Sequence, residues 1–305
     1  MIGYKTKLIL NPNADWGHTG RMIAELRPLV EKLGEADWSV TAYPTHATEL
    51  ARQAGETGYD LVVAFGGDGT VHEVINGLMQ VPPETRPRLG IVPLGSGNDF
   101  AHSIGITGNP QESLKRIFAG QSKRIDVAAF DIGHGKREYY NNTFGLGFDA
   151  TVTIRTRHLR YLRGFVMYLV AVLQTITLNL DAPMMHITTD SESWDEETIM
   201  LVMCNGPREG GGFLVAPESD SSDGFLNYAS VCRVSRIMML RLIPEVMKGT
   251  HGRFKQIRLG QFHKIQIQSD KPVTVHADGE VIAGFETDVR NVTVEVVPSA
   301  VELMI

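Results

Sequence analysis

Apolar and polar positions change their rhythm once along this chain. Over about the first 125 residues, short apolar runs at 5–10, 38–43, 61–65 and 89–92 alternate with segments at 20–33, 47–57 and 71–79. In those segments apolar residues recur every three or four positions. Runs of the first kind predict strands and segments of the second kind predict amphipathic helices. Asn109-Pro110 supplies an N-cap followed by proline at the first helical position, predicting a further helix to about residue 119. Strand–helix alternation of this kind builds a parallel sheet with helices on both faces.

From about Asp126 the period shortens. Runs at 198–204, 225–231, 264–268, 273–276 and 292–297 alternate apolar with polar residues between turn-forming segments. That is the pattern of a mostly antiparallel sandwich. Helical spacing interrupts it near 155–178 and 235–247. The expected fold is an α/β N-terminal doubly wound parallel-sheet domain over 1–127 and a C-terminal mostly antiparallel β-sandwich domain over 128–292. The segment 293–305 is expected to return to the first domain.

Composition narrows the class. With 305 residues, 43% hydrophobic and 21% charged, the chain can bury large cores and is not broadly disordered. A net charge of -6 argues against a nucleic-acid binder that works by bulk phosphate neutralisation. Cys204 and Cys232 stand alone in apolar runs, as small buried hydrophobes of a reducing compartment do. The chain begins with a strand pattern, and its most apolar stretch, 165–173, is far short of the ~20 residues that span a bilayer. A cytoplasmic protein is expected.

The third strand breaks into Gly66-Gly67-Asp68-Gly69-Thr70 before helical spacing resumes. Thr70 and Glu73 have capping-box spacing, which accounts for Thr70. It leaves three glycines and Asp68 unexplained. Main-chain N–H groups without Cβ atoms, at the start of a helix, suit a phosphate. No Gly-Lys-[Ser/Thr] follows, so this is not a P-loop, and the third glycine of the dinucleotide fingerprint is missing. A second break, 93–100 (PLGSGNDF), follows the fourth strand, and a third, 11–15 (NPNAD), follows the first. Neighbouring parallel strands bring such loops together at their carboxyl ends, where ligands bind.

Taken in order, these motifs resemble the catalytic domain of diacylglycerol kinases, in particular the soluble bacterial diacylglycerol/lipid kinase family related to sphingosine and ceramide kinases. The resemblance continues through 142–150 (NTFGLGFDA), Ala216-Pro217 to Asp223-Gly224, and Asp278-Gly279-Glu280. It implies an ATP-dependent, Mg²⁺-requiring kinase acting on the hydroxyl of diacylglycerol or a similar lipid. By the same resemblance, Asn11, Thr45, Gly66, Gly67, Gly69, Thr70, Glu73 and Ser96 line the ATP site, and Asp68 organises the nucleotide and its metal. Asp223 holds a structural Mg²⁺ together with main-chain carbonyls near Asp220 and Phe225, and Glu280 is the base that takes the lipid hydroxyl proton. The resemblance also makes a homodimer plausible. Three features depart from the family: His72 in place of the usual Asn, Ser96 in place of the commoner Thr, and a longer, more polar stretch at 15–20.

Read without the resemblance, Asp278-Gly279 is equally a hairpin turn, and Asp220 to Gly224 is either a solvated turn or a metal loop too sparse for an EF-hand. Arg155, Arg157, Arg160 and Arg163 precede the apolar segment from Phe165. Either they meet anionic headgroups during transient peripheral membrane association, or they are the solvent face of a core helix. The competing functions are a kinase of NAD, which shares the Gly-Gly-Asp-Gly-Thr loop, and a catalytically inactive nucleotide sensor. The GSGNDF loop favours the lipid kinase over the first, and the joint presence of Asp68 and Glu280 favours it over the second.

Overall fold

The computed structural model describes residues 3–14, 19–106, 109–159, 161, 162 and 164–305. Its elements begin β1 (Thr6–Leu10), α1 (Thr19–Leu33), β2 (Ala36–Val40), α2 (His46–Glu56), β3 (Leu61–Gly66), α3 (Asp68–Leu78), β4 (Arg88–Pro93), α4 (Asp99–Ser103) and α5 (Pro110–Ala119). There follow β5 (Ser122–Asp131), β6 (Glu138–Tyr140), β7 (Thr143–Gly147), α6 (Phe148–Thr156), α7 (Gly164–Leu178), β8 (Met184–Thr189) and β9 (Ser193–Cys204). The chain ends with β10 (Leu226–Cys232), α8 (Arg236–Lys248), β11 (Ile257–Phe262), β12 (Lys264–Ser269), β13 (Val275–Ala277), β14 (Glu280–Ala283) and β15 (Asn291–Met304). They group into two compact units, Met1–Asp126 with Ser299–Ile305, and Val127–Pro298.

In the first unit the strands lie parallel in the order β4-β3-β1-β2, with the end of β15 beside β4 through Leu303 and Leu89. All six residues of β3 are buried, as a central strand covered on both faces requires. Leu26 and Val30 of α1 and Leu114 and Ile117 of α5 pack with Leu8, Leu61, Val63 and Phe65. The helix α3 meets α2 so closely that a Cβ at Gly77 would lie 2.3 Å from the Thr48 carbonyl oxygen. Asn109 caps α5 by accepting the Glu112 N–H, with Pro110 at the first helical position. The predicted second strand, 38–43, is shifted to Ala36–Val40. Its last residues instead turn toward α2, where the His46 ring accepts the Ala42 N–H.

The second unit is a sandwich. One sheet runs β14-β13-β7-β9-β10-β11, all antiparallel, and β8 and β12 pair antiparallel beside it in the other. The long β9 serves both, pairing with β8 over Ser193–Glu197 and then with β7 and β10. Between the sheets lie Phe130, Tyr140, Phe144, Leu146, Leu201, Met203, Tyr228, Phe262, Ile265 and Ile267. Residues 291–295 pair with β12, so the return of β15 to the first unit is confined to its last residues from Ser299. Both cysteines are free, and burial pushes the Cys204 thiol well up.

The single helix predicted near 155–178 is two helices, α6 and α7. Helical spacing runs on, but α6 ends at Thr156 and α7 begins at Gly164, whose φ is 53. Among the described residues, no helix is long and apolar enough to cross a membrane.

His251 follows α8 in the interior and shares its Nε2 with the Val215 carbonyl oxygen at 2.9 Å, so Nε2–H donates. Burial pushes this imidazole below its ordinary value of 6.5, against the pull of the Val215 and Glu245 carbonyls. Below about pH 6.5 the unfolded chain therefore takes up a proton that the folded chain refuses. This contribution to stability is complete above that pH and declines as pH falls toward the lowered folded value. Urea unfolding of the parent and a His251→Gln variant should show a parent-minus-variant difference that is smaller at about pH 5 than at about pH 7.5. A constant difference would assign the acid sensitivity to other groups.

Candidate functional site

The first unit assembles its candidate residues at the carboxyl ends of β3 and β4, whose last residues, Gly66 and Pro93, are register partners. Gly66 is bare because Thr70 packs onto it: a Cβ there would lie 2.2 Å from Thr70 Oγ1. That buried hydroxyl accepts a hydrogen bond from Asn11 Nδ2 at 3.1 Å, tying the end of β1 to the start of α3. Gly67 and Gly95 meet main chain to main chain. A Cβ on Gly95 would fall 2.5 Å from Gly67 Cα, and one on Gly67 would fall 3.0 Å from Gly95 Cα.

Asn98, left-handed at φ 51, braces this contact by accepting the Gly95 N–H (2.9 Å) and donating to the Gly95 carbonyl (2.6 Å). Asp68 Oδ1 accepts the Phe100 N–H at 3.1 Å. Its Oδ2 and the Oδ2 of Asp99 both lie against Gly97, 3.1 and 3.6 Å from where a Cβ would be. Asp99, 7% exposed, is thus a second carboxylate of the corner that the motif contained but sequence reasoning did not single out.

The capping box is not formed. Gly67, which has no side chain, is the N-cap of α3, and Thr70 is its third residue. Glu73 turns away to the neighbouring helix, accepting the Thr45 N–H (2.9 Å) and the Ala47 N–H (3.0 Å) at the start of α2. The predicted Thr70–Glu73 pair is therefore divided: Glu73 caps α2 and Thr70 packs on Gly66, because α2 lies beside α3 only in the folded chain. Thr45 is held at φ 70, a left-handed conformation that disfavours a β-branched residue. Asn11, Gly66, Gly67, Asp68 and Thr70 therefore form one linked corner, with Gly69 in the first turn of α3. Ser96 is exposed between Gly95 and Gly97, and Thr45 and Glu73 meet at the α2–α3 contact. Asp15 and the rest of 15–18 lie outside the described residues. A cavity of about 680 Å³, lined by Tyr4, Val30, Trp38 and Phe118 among others, opens at the amino ends of β1 and β2, opposite this corner.

In the second unit, Asp278 (φ 49) and Gly279 (φ 82) join β13 to β14 as a two-residue turn of the type I′ kind. The Asp278 carboxylate is fully engaged in holding it: Oδ2 accepts the Asn141 N–H (3.0 Å), and Oδ1 accepts those of Asn142 (2.8 Å) and Thr143 (3.1 Å). Glu280 emerges half-exposed at the start of β14 and pairs with Arg157 at 2.9 Å. Arg155 hydrogen-bonds Asn179, Arg157 is taken by Glu280, and Arg160 and Arg163 lie outside the described residues.

Beneath the turn, His276 Nε2 lies 2.5 Å from Asp149 Oδ2, both residues being buried. Gly145 is bare to admit the pair, since a Cβ there would lie 2.0 Å from the carboxylate oxygen and 2.4 Å from Nε2. Glu209 completes a group whose ligand atoms lie within 4.8 Å of one another. Burial pushes the Asp149 carboxyl up, but the electrostatic pull and the hydrogen bond of the His276 ring, with a hydrogen bond from Glu209, outweigh it and hold it below the usual carboxylate range. Sequence reasoning quoted Asp149 within NTFGLGFDA without a role and passed over His276 and Glu209. The available signal was a glycine inside a strand ahead of an acidic first turn, facing a lone histidine in another strand.

The proposed metal residues form a turn of their own. Asp220 Oδ1 accepts the Ser222 N–H (3.0 Å), Asp223 Oδ1 accepts the Phe225 N–H (2.9 Å), and the Phe225 ring packs on His263. Both carboxylates are exposed and act as Asx-turn acceptors.

Residues 5–130 match the family described as Diacylglycerol kinase catalytic domain, and residues 142–305 match the YegS C-terminal NAD kinase beta sandwich-like domain. The chain is 27% identical over 289 residues to a protein of Bacillus subtilis (strain 168) named "Diacylglycerol kinase", covering 90% of this chain and 89% of that one. It is 32% identical over 250 residues to a Xanthomonas campestris pv. campestris (strain 8004) protein named "Probable lipid kinase YegS-like", covering 81% and 80%. The fold is that of the crystal structure of a diacylglycerol kinase from Bacillus anthracis str. Sterne, with a TM-score of 0.74, 22% identity and coverage of 100% and 97%.

Two substitutions separate support from strain at the α2–α3 contact. Glu73→Ala removes the acceptor for two N–H groups and should lower the unfolding free energy by about 1–2 kcal/mol. Thr45→Gly, which relieves the left-handed backbone, should leave that energy unchanged or raise it. Urea denaturation measures both, and a Glu73→Ala variant as stable as the parent would remove its assigned role.

Proposed function

The chain belongs to the diacylglycerol kinase and YegS-like lipid kinase family, and from that premise we propose that it transfers the γ-phosphoryl group of ATP to the hydroxyl of diacylglycerol or a similar lipid. The observation that carries this reading is the contact of Gly67 with Gly95. Two main chains approach with no side chain on either, at the start of an 11-residue helix whose N-cap is Gly67 itself. Such a corner suits phosphate oxygens because N–H groups and the helix dipole favour negative charge there. Asp68 and Asp99 beside Gly97 are the carboxylates we assign to the nucleotide's cation, and the exposed turn of Asp220 and Asp223 is assigned to the structural Mg²⁺. ATP supplies the transferred group, and Mg²⁺ neutralises its phosphates.

The remaining work falls to the chain's own groups. Glu280, on a turn fixed by three N–H bonds to Asp278, is positioned to accept the proton of a lipid hydroxyl. Its ion pair with Arg157 is half-exposed on both sides, so it contributes little and opens readily. We assign transient membrane contact to α7 and α8, which pack together. α7 carries no charged residue and exposes Val166, Leu173 and Leu178, while α8 exposes Ile237, Leu240 and Met247. Arg236 and Arg241 on α8 add positive charge suited to anionic headgroups.

Asp68→Asn keeps an acceptor for the Phe100 N–H and removes only the charge. Labelled-ATP assays on lipid micelles should show turnover reduced at least about a hundredfold, with thermal unfolding nearly unchanged. Phosphorylation of NAD but not of lipids by the parent would replace this reading with a nucleotide kinase. Nucleotide binding without transfer to either would point to a sensor.

A paired Ile237→Asp, Leu240→Asp variant should sediment less with anionic vesicles, whereas Arg157→Ala should sediment like the parent. The reverse pattern would move the membrane contact to the arginine stretch.

A further inference from the structure

His276 is used by none of the roles above, yet it is 2% exposed and engaged at both ring nitrogens. Nε2 lies 2.5 Å from Asp149 Oδ2, and Nδ1 lies 3.3 Å from the Gly279 nitrogen. A main-chain N–H can only donate, so Nδ1 accepts and the ring proton resides on Nε2, directed at Asp149. The chain Asp149–His276–Gly279 therefore ends one residue before Glu280. Gly145 of β7 is kept bare where this pair sits, so the arrangement is built into a neighbouring strand and is not a chance contact.

We propose that His276 is a positioning residue for Glu280: as a neutral imidazole oriented by Asp149, it holds the Gly279 amide and thereby fixes where the base presents its carboxylate. Asp278 secures one side of the turn through the N–H groups of 141–143, and His276 secures the other. Without the second hold, the two left-handed residues of the turn can rock about the Asp278 anchor and carry Glu280 with them. A displacement of this kind is costly for proton transfer and indifferent to nucleotide binding. The inference rests on the reading of Glu280 as the base.

Two variants divide the ring's functions. In His276→Asn the amide oxygen can occupy the place of Nδ1 and accept the Gly279 N–H, while contact with Asp149 is lost. In His276→Gln the amide nitrogen can occupy the place of Nε2 and donate to Asp149, while the Gly279 bond is lost. The Gln variant should lose about tenfold in kcat with KM for ATP unchanged, and the Asn variant should stay within about threefold of the parent. A Gln variant with parental kcat, or an Asn variant as impaired as the Gln variant, would overturn the proposal.

Glu280→Gln assayed alongside keeps the two ideas apart. If it is inactive while His276→Gln is normal, only the positioning role fails. If it is fully active, the base assignment fails and the positioning role with it. Should the buried substitutions prevent folding, isotope-edited NMR of the parent ring decides at about pH 7. A proton on Nε2 with bare Nδ1 is expected, and a proton on Nδ1 would refute the arrangement.

Discussion

The close approach of two main chains at Gly67 and Gly95 is the constraint around which the first unit is organised. It can form only where β3 and β4 are adjacent and parallel, because only then do their following loops leave the sheet side by side. It tolerates no Cβ on either residue. Once made, it draws in its own supports: Asn98 adopts a left-handed backbone to brace Gly95, and Asp68 reaches the amide of Phe100. Thr70 fills the space above Gly66. Glycines that look like a single motif thus answer to different neighbours, and the open main chain they leave is a product of packing as much as of ligand chemistry.

The second unit solves a comparable problem with charge. A type I′ turn needs two residues at positive φ, and Asp278-Gly279 supplies them, but a short hairpin alone would not hold an exposed carboxylate still. Asp278 gathers three main-chain N–H groups from the turn between β6 and β7 and the first residue of β7, and charge-assisted bonds of this type are stronger than neutral ones. Asp149 and His276 form a second buried arrangement behind the turn. Burial would ordinarily favour the uncharged form of Asp149. The neighbouring imidazole and Glu209 reverse that preference, so the carboxylate keeps its negative charge inside the unit.

Much of this was legible in the residue order. The alternation of strands and helices up to α5, the Asn109-Pro110 start, the sandwich pattern after Asp126 and the glycine corner all follow from local periodicity and from the stereochemistry of single residues. The family resemblance followed from the order of the motifs. What failed did so for identifiable reasons. Spacing could not tell that the helical pattern near 155–178 breaks after Thr156 and resumes at Gly164, nor that Glu73 caps α2 and not α3. No spacing rule pairs Arg157 with Glu280, because the two lie far apart along the chain.

The sequence by itself determined the strand–helix alternation of the first unit, the sandwich pattern of the second, where main chain must be bare, and which reaction class the ordered motifs resemble, because each depends on residues near one another in the chain. Only the tertiary structure decided which groups share a space: Gly67 with Gly95, Asp68 and Asp99 with Gly97, and Asp149 with His276 and Glu209. Those pairings depend on strand adjacency and register. No local pattern encodes them, since the same residues at the same spacings would face elsewhere in a sheet of different order.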